Sequence, residues 1–204
     1  MGSIDLKKVY AAHYTARAGT PVVVDVPPRP YLMLDGSGDP NTAPAYRDAV
    51  ETLYPLAYGL RAAIKHATGD AYTVMPLEGL WWVPDYENFS YDDRSDWQWT
   101  SMICLPDAVA EVDAERIVAE VTDEKRLPSG DQVRIERFGD GTAAQVLHVG
   151  PYSEEPPTIE ALHRFIVDAG HSLSGKHHEI YLSDARRTDP AKLRTIIRQP
   201  FERG

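Results

Sequence analysis

Apolar and polar positions along this chain alternate between two periods, and the order of elements they predict occurs twice. Pro21 to Val26, dense in valine, and Tyr31 to Leu34 read as short strands separated by the Pro27-Pro28 break. Asp35 to Pro40 is a turn signal. From Thr42 to His66 the apolar positions Ala49, Leu53, Leu56, Leu60 and Ile64 follow a helical spacing, with Pro55 expected to kink or divide the helix. Ala71 to Val83 and Trp97 to Leu105 are the next two strands, flanking a loop from Pro84 to Asp96 that carries Tyr86, Phe89 and Tyr91 and could serve as a lid. A helical stretch from Pro106 to about Lys125 and a break at 127–130 lead into the second half.

That half repeats the grammar. Gln132 to Phe138 and Ala143 to Val149 read as strands joined by a Gly139-Asp140-Gly141 hairpin turn. A helix follows over Glu154 to Ala169, with Ile159, Leu162, Phe165 and Ile166 inward. His177 to Ser183 is a strand. A one-turn helix is expected to start at Asp189-Pro190, and Leu193 to Arg198 is the last strand. Residues 1–19 show no clear period and read as an arm. The expected organisation is therefore that arm followed by one domain over 20–204, built of module 20–105, connecting segment 106–130 and module 131–204. The fold class expected is α+β: two pseudo-symmetric β-α-β-β modules whose antiparallel sheets form a central ligand cleft.

Two stretches concentrate the candidate chemistry. Met75 to Trp82 places Glu78, Gly79 and the adjacent indoles of Trp81 and Trp82 on one strand. Period two assigns Glu78, Leu80 and Trp82 to one face and Leu77 and Trp81 to the other, unless Gly79 bulges. In His177 to Leu182 the same alternation sends Ile180 and Leu182 toward the helix and Glu179 and Tyr181 toward the cleft. If the pseudo-symmetry holds, Glu78 and Glu179 approach one cavity from opposite sides. A carboxylate among aromatic rings neutralises a flat cationic ligand or acts as a general base on water. The ordinary reading of each glutamate is a solvated strand residue. His177 and His178 point to opposite faces and make a poor chelating pair, so no metal is expected. Tyr54 and Tyr58, on one helix face, read as core packing. No P-loop or nucleophile elbow occurs, and no cofactor is expected.

Composition narrows the partners. The 204 residues carry a formal net charge of −10, which argues against nucleic acid and against an anionic membrane surface. One cysteine, Cys104, leaves no internal disulfide. No apolar run reaches the ~20 residues of a membrane span, and Met1 to Tyr14 lacks a signal-peptide core, so a cytoplasmic location is expected.

Taken together, Gly38-Asp39-Pro40-Asn41, the long helix with Leu53-Tyr54, Pro76 to Trp82, His148-Val149-Gly150-Pro151-Tyr152 and His178 to Asp184 resemble the GyrI-like small-molecule-binding family, in its stand-alone branch. The resemblance covers nearly everything from residue 20 onward. It implies a cleft that takes flat, hydrophobic, often cationic molecules, as in the drug-sensing domains of multidrug-responsive regulators. Some stand-alone relatives hydrolyse cyclopropane-bearing DNA-alkylating natural products through a glutamate and a tyrosine. By motif position the glutamate is Glu179, and the tyrosine is Tyr152 or Tyr181. The ligand-binding set expected around them is Glu78, Trp81, Trp82, Trp97, Met102 and His148. No helix-turn-helix precedes the domain, which sets direct transcriptional control aside. The function expected is binding of hydrophobic planar small molecules with hydrolysis of cyclopropane-bearing electrophiles; the alternatives are a drug-sequestering module or an inhibitor of another protein.

Overall fold

A computed structural model describes residues 3–84 and 93–204. The aromatic residues Tyr86, Phe89 and Tyr91 of the expected lid lie outside the described residues. The elements are β1 (Ser3–Ile4), α1 (Leu6–Val9), α2 (Ala11–Tyr14), β2 (Val22–Val26), β3 (Arg29–Ser37), α3 (Pro44–Thr68), β4 (Ala71–Tyr72), β5 (Leu77–Trp82), β6 (Gln98–Cys104), α4 (Ala114–Lys125), β7 (Arg134–Phe138), β8 (Gly141–Val149), α5 (Pro156–Asp168), β9 (Ser172–Leu173), β10 (His177–Tyr181) and β11 (Arg194–Glu202). The class is α+β, and the chain divides into two compact units.

The first unit comprises Met1–Val9, Arg29–Met75 and Trp81–Phe138. Its centre is β3, antiparallel to both β6 and β7. Tyr31 to Leu34 and Met102 to Leu105 are buried without interruption, as strands covered on both faces must be. Helix α3 packs on β3, β6 and α4 through Ala49, Leu53, Leu56, Leu60 and Ile64. It runs through Pro55 without dividing and ends at Gly69, whose positive φ of 81° and N–H bond to the Lys65 carbonyl close the last turn.

Gly36 shows why sequence and packing are locked together here. It sits directly across from Trp99, and the indole lies over it: a Cβ at Gly36 would stand 2.2 Å from two ring carbons. Trp99 is fully buried and cannot swing aside. Gly36→Ala is therefore expected to cost at least the ~1–3 kcal/mol of overpacking a core. A thermal melt lowered by several degrees checks this, and an unchanged melt would show that the indole can shift.

The second unit comprises Tyr10–Pro28, Pro76–Leu80 and Gly139–Gly204. Here β8 is antiparallel to β2 and to β11, and β11 to β10. Helix α5 packs on β8 and β11 through Ile159, Leu162 and Ile166. Phe165, expected inward, is instead exposed.

The strand orders β7-β3-β6-β5 and β2-β8-β11-β10 run through equivalent elements, which is the pseudo-symmetry of two β-α-β-β modules, β3-α3-β5-β6 and β8-α5-β10-β11. Two linear expectations change. The modules exchange their leading strands, since β2 pairs with β8 of the second half and β7 pairs with β3 of the first. Gly139-Asp140 is accordingly a crossover and not a hairpin turn, because β7 and β8 are not paired with each other. A Cβ on Gly139 would meet Pro28 N and Val26 O at 2.6 Å, so glycine is required where the chain crosses. The N-terminal residues are not a loose arm either: β1 pairs with β4, and α2 packs on β2.

Candidate functional site

Strand register in the second unit sorts the candidate residues onto two faces. Directly opposed residues of antiparallel strands share a face. One face carries His178, Arg198 and Gln145 in a row, with Ile180, Ile196 and Leu147 beside them. The other carries Tyr181, Thr195 and His148 in a row, with Glu179 opposite Ile197. Helix α5 lies on the second face, since Thr158 bonds His148 at 3.0 Å and His163 bonds Gln199 at 3.3 Å. The expectation that Ile180 meets the helix while Glu179 faces away is thus reversed.

The first face holds a buried polar chain. The Tyr14 hydroxyl donates to Glu78 Oε1 at 2.6 Å. His178 reaches Glu78 Oε2 at 3.0 Å through Nε2 and Asp140 Oδ2 at 2.9 Å through Nδ1. Arg198 donates to the same Asp140 oxygen at 3.0 Å, to Gln145 Oε1 and to the His13 carbonyl. Gln145 in turn donates to the Ala12 and Thr15 carbonyls. Glu78, His178, Asp140 and Arg198 are almost completely buried. Acceptors at both ring nitrogens call for the imidazolium form, and two carboxylates, one imidazolium and one guanidinium sum to zero. The residues come from α2, β5, the crossover, β8, β10 and β11, so this chain pins six separate segments of the unit.

Burial disfavours the charged forms, yet partner charges outweigh it at both titrating ends. For Asp140, burial pushes upward, but His178 and Arg198 hold the carboxyl down at about 2. For His178, burial pushes downward, but the Asp140 carboxylate and hydrogen bonds to Asp140 and Glu78 raise it above its ordinary value. The signs follow from linkage. A depressed carboxyl stabilises the fold above its unfolded pKa of ~3.9 and loses that contribution as pH falls toward 2. A raised histidine stabilises fully below ~6.5 and loses its contribution as pH rises through the folded-state value. Urea midpoints are thus expected to be greatest between about pH 4 and 6.5, to fall steeply below that range and to decline gradually above it. A flat profile from pH 6 to 9 would contradict the imidazolium assignment.

The second face gathers four of the expected site residues. The Tyr181 hydroxyl donates to Glu179 Oε2 at 2.7 Å, and His177 Nε2 stands 3.1 Å from Glu179 Oε1. Tyr152, on the short turn before α5, meets Tyr181 edge to face at 5.7 Å between ring centroids. His148 occupies the far end of the row and approaches the Pro151 carbonyl at 3.3 Å. The Glu179 side chain is 13% exposed, screened but reachable. Glu78 does not join it: the two glutamates lie on opposite faces of the strands, and both oxygens of Glu78 are engaged by Tyr14 and His178.

The remaining candidates belong to the first unit. Trp81 is buried and meets Tyr46 at 5.7 Å and Trp97 at 5.8 Å, and Tyr46 meets Trp99 edge to face at 5.2 Å. The Arg94 guanidinium stands 4.9 Å above the Trp97 ring. Trp82 is half-buried, whereas Met102 is a core residue opposite Met33. Sequence reasoning passed over Tyr14, Asp140 and Arg198, and it saw His177 and His178 only as a failed metal pair. The alternation that makes them diverge is the signal that places one beside Glu179 and the other beside Glu78 and Asp140.

Comparison with known proteins agrees with this architecture. A conserved uncharacterized protein from Listeria innocua is 36% identical, with 98% of this chain and 100% of that chain aligned and a TM-score of 0.89. A hydrolase from the same organism is 34% identical over the same shares, with a TM-score of 0.84. The C-terminal domain of EcmrR shares the fold at 14% identity, covering 91% of this chain and 98% of that one, with a TM-score of 0.55. No curated protein matches. The family model of the GyrI-like small molecule binding domain matches residues 20–201, and the chain belongs to that family.

Proposed function

We propose that this protein is a cofactor-independent hydrolase that takes hydrophobic planar small molecules and opens a strained cyclopropane ring with water. The observation that carries this reading is the Glu179 carboxylate, screened from solvent, with the Tyr181 hydroxyl on one oxygen and the Tyr152 ring against that of Tyr181. The hydrolase relative at 34% identity over essentially the whole chain supports a hydrolytic reaction.

In this reading Glu179 takes a proton from water as the water oxygen bonds to the ring carbon. The cyclopropane C–C bond breaks, and its electron pair passes to a conjugated oxygen, which becomes a phenolate. Tyr181 orients Glu179, and Tyr152 meets the developing oxygen charge. The phenolate takes up a proton as Glu179 releases its own to solvent, so that the hydroxyl of one water stands on the former ring carbon and its proton equivalent on the phenol oxygen. Tyr181→Phe keeps the ring and removes the hydroxyl; it is expected to lower kcat about 10-fold, as loss of a hydrogen bond to a charged group does. Steady-state turnover of a cyclopropane-bearing alkylator measures it, and an unchanged kcat would remove Tyr181 from the reaction.

A binding module without catalysis is the second reading, favoured by the Tyr46, Trp81, Trp97 and Trp99 cluster. A flat cation stacked on Trp97 would replace the Arg94 guanidinium that stands there. Each such contact contributes ~0.5–2 kcal/mol, so Trp97→Leu is expected to weaken binding of a planar cationic dye about 2- to 30-fold. Fluorescence titration reads the change, and equal affinities would exclude Trp97 from the ligand.

A further inference from the structure

We infer that His177 is a positioning residue for Glu179, fixing the carboxylate from the side opposite Tyr181. This rests on the reading of Glu179 as the general base. Tyr181 and His177 share the face of β10 that carries Glu179, two positions to either side of it. The hydroxyl donates to Oε2 at 2.7 Å, and His177 Nε2 lies 3.1 Å from Oε1. Both are within hydrogen-bond reach, so each oxygen of one carboxylate has its own partner. A carboxylate held at both oxygens cannot rotate about its terminal torsion, which is otherwise broad and two-fold. That fixed orientation sets the direction from which a water can meet the carboxylate for attack.

Holding Oε1 requires His177 Nε2 to carry the proton, either in that neutral tautomer or as imidazolium. In both forms the bond favours the ionised carboxylate, the form a base needs. The surroundings of His177 bear on the same point. Gln199 is its neutral neighbour on β11, one step beyond the His178–Arg198 pair. From α5, His163 bonds that Gln199 at 3.3 Å. Burial first, and then the charge of His177, hold His163 below its ordinary value, while Glu160 on α5 acts in the opposite direction. His163 is thus kept toward its neutral form. Tyr181, Tyr152 against it and His148 are further titratable groups on the Glu179 side among the described residues. His177 is 17% exposed and touches no reacting atom in this arrangement; it acts through Glu179.

The test needs no ligand for its first arm. The side-chain carboxyl carbon of Glu179, labelled with carbon-13 and assigned by its loss in Glu179→Gln, is titrated by NMR in the wild type, His177→Gln and His177→Ala. The expected result is a midpoint about one pH unit higher in His177→Ala, with His177→Gln, which keeps an N–H donor, close to the wild type. In the second arm, turnover of a cyclopropane-bearing alkylator is expected to fall about 10-fold in kcat for His177→Ala, with KM little changed and the acid limb of the pH–rate profile displaced upward. His177→Gln is expected to recover most of the rate. A Glu179 midpoint that is the same in all three proteins overturns the inference, as does a rate loss confined to KM. A displaced midpoint in a protein that shows no turnover leaves His177 as the partner of Glu179 and overturns the proposed hydrolysis instead.

Discussion

Glu179→Gln is expected to abolish most ring-opening activity, lowering kcat about 10²–10⁴-fold, the range ascribed to a positioned general base. The substitution preserves shape and burial but removes the proton acceptor. The amide oxygen still accepts from Tyr181, while the amide nitrogen opposes the His177 N–H that holds Oε1 in the wild type. The strand itself has no need of the charge, because the charged network of this unit lies on its other face. Folding should therefore be retained, with a thermal midpoint close to the wild type. Steady-state kinetics and a melt on the same preparation separate the two effects. A variant that unfolds would place Glu179 in the scaffold, and one that turns over at the wild-type rate would remove it from the chemistry.

Asp140→Ala is expected to damage the scaffold and not the reaction. One Asp140 oxygen accepts from both His178 Nδ1 and Arg198. Removing it leaves an imidazolium and a guanidinium buried with the charge of only Glu78 to balance them. Breaking such a buried set costs about 3–5 kcal/mol, against a total stability of about 5–15 kcal/mol for a folded domain. The thermal midpoint should fall by roughly 10 °C or more. Replacing His178 and Arg198 by apolar residues together with Glu78→Gln, in an Asp140→Ala background, should restore much of the loss, because removing all four charges also removes the desolvation they require. Urea denaturation of the single and quadruple variants checks both statements. A single variant within 1 kcal/mol of the wild type would show that water reaches the network.

Much of the fold was legible because it rests on local signals. Period-two runs with β-branched residues marked β2, β3, β8 and β11, and helical spacing marked α3 and α5 within a few residues. The repeat of element types was visible from their order alone. Partner choice between strands was not. Gly139-Asp140-Gly141 has the composition of a hairpin turn, yet the residues around it pair elsewhere, and nothing local to β7 distinguishes β8 from β3 as its neighbour. The same applies to the arm: α2 carries no strong period, and its role lies in the Tyr14 hydroxyl, whose partner is 64 positions away, and in backbone carbonyls of residues 12, 13 and 15, which any residue would supply.

The candidate site divides along the same line. Alternation correctly put Glu179 and Tyr181 together, since two residues apart on a strand is a local relation. It could not say which face α5 would cover, because that depends on the crossover path and not on β10. Glu78 shows the limit most clearly. A glutamate in an apolar strand reads as a pocket residue, but Tyr14 and His178, 64 and 100 positions away, convert it into an internal partner. No pattern near Glu78 announces either one.

Glu179-activated addition of water is most directly tested by running the reaction in water enriched in oxygen-18. The wild-type protein is incubated with a cyclopropane-bearing alkylator, and the product mass is read over time. The expected product is ring-opened and carries one solvent oxygen on the former ring carbon, formed by the wild type and only at the uncatalysed rate by Glu179→Gln. Formation of the same labelled product at equal rates by both proteins, or consumption of the compound without solvent oxygen in the product, would contradict it.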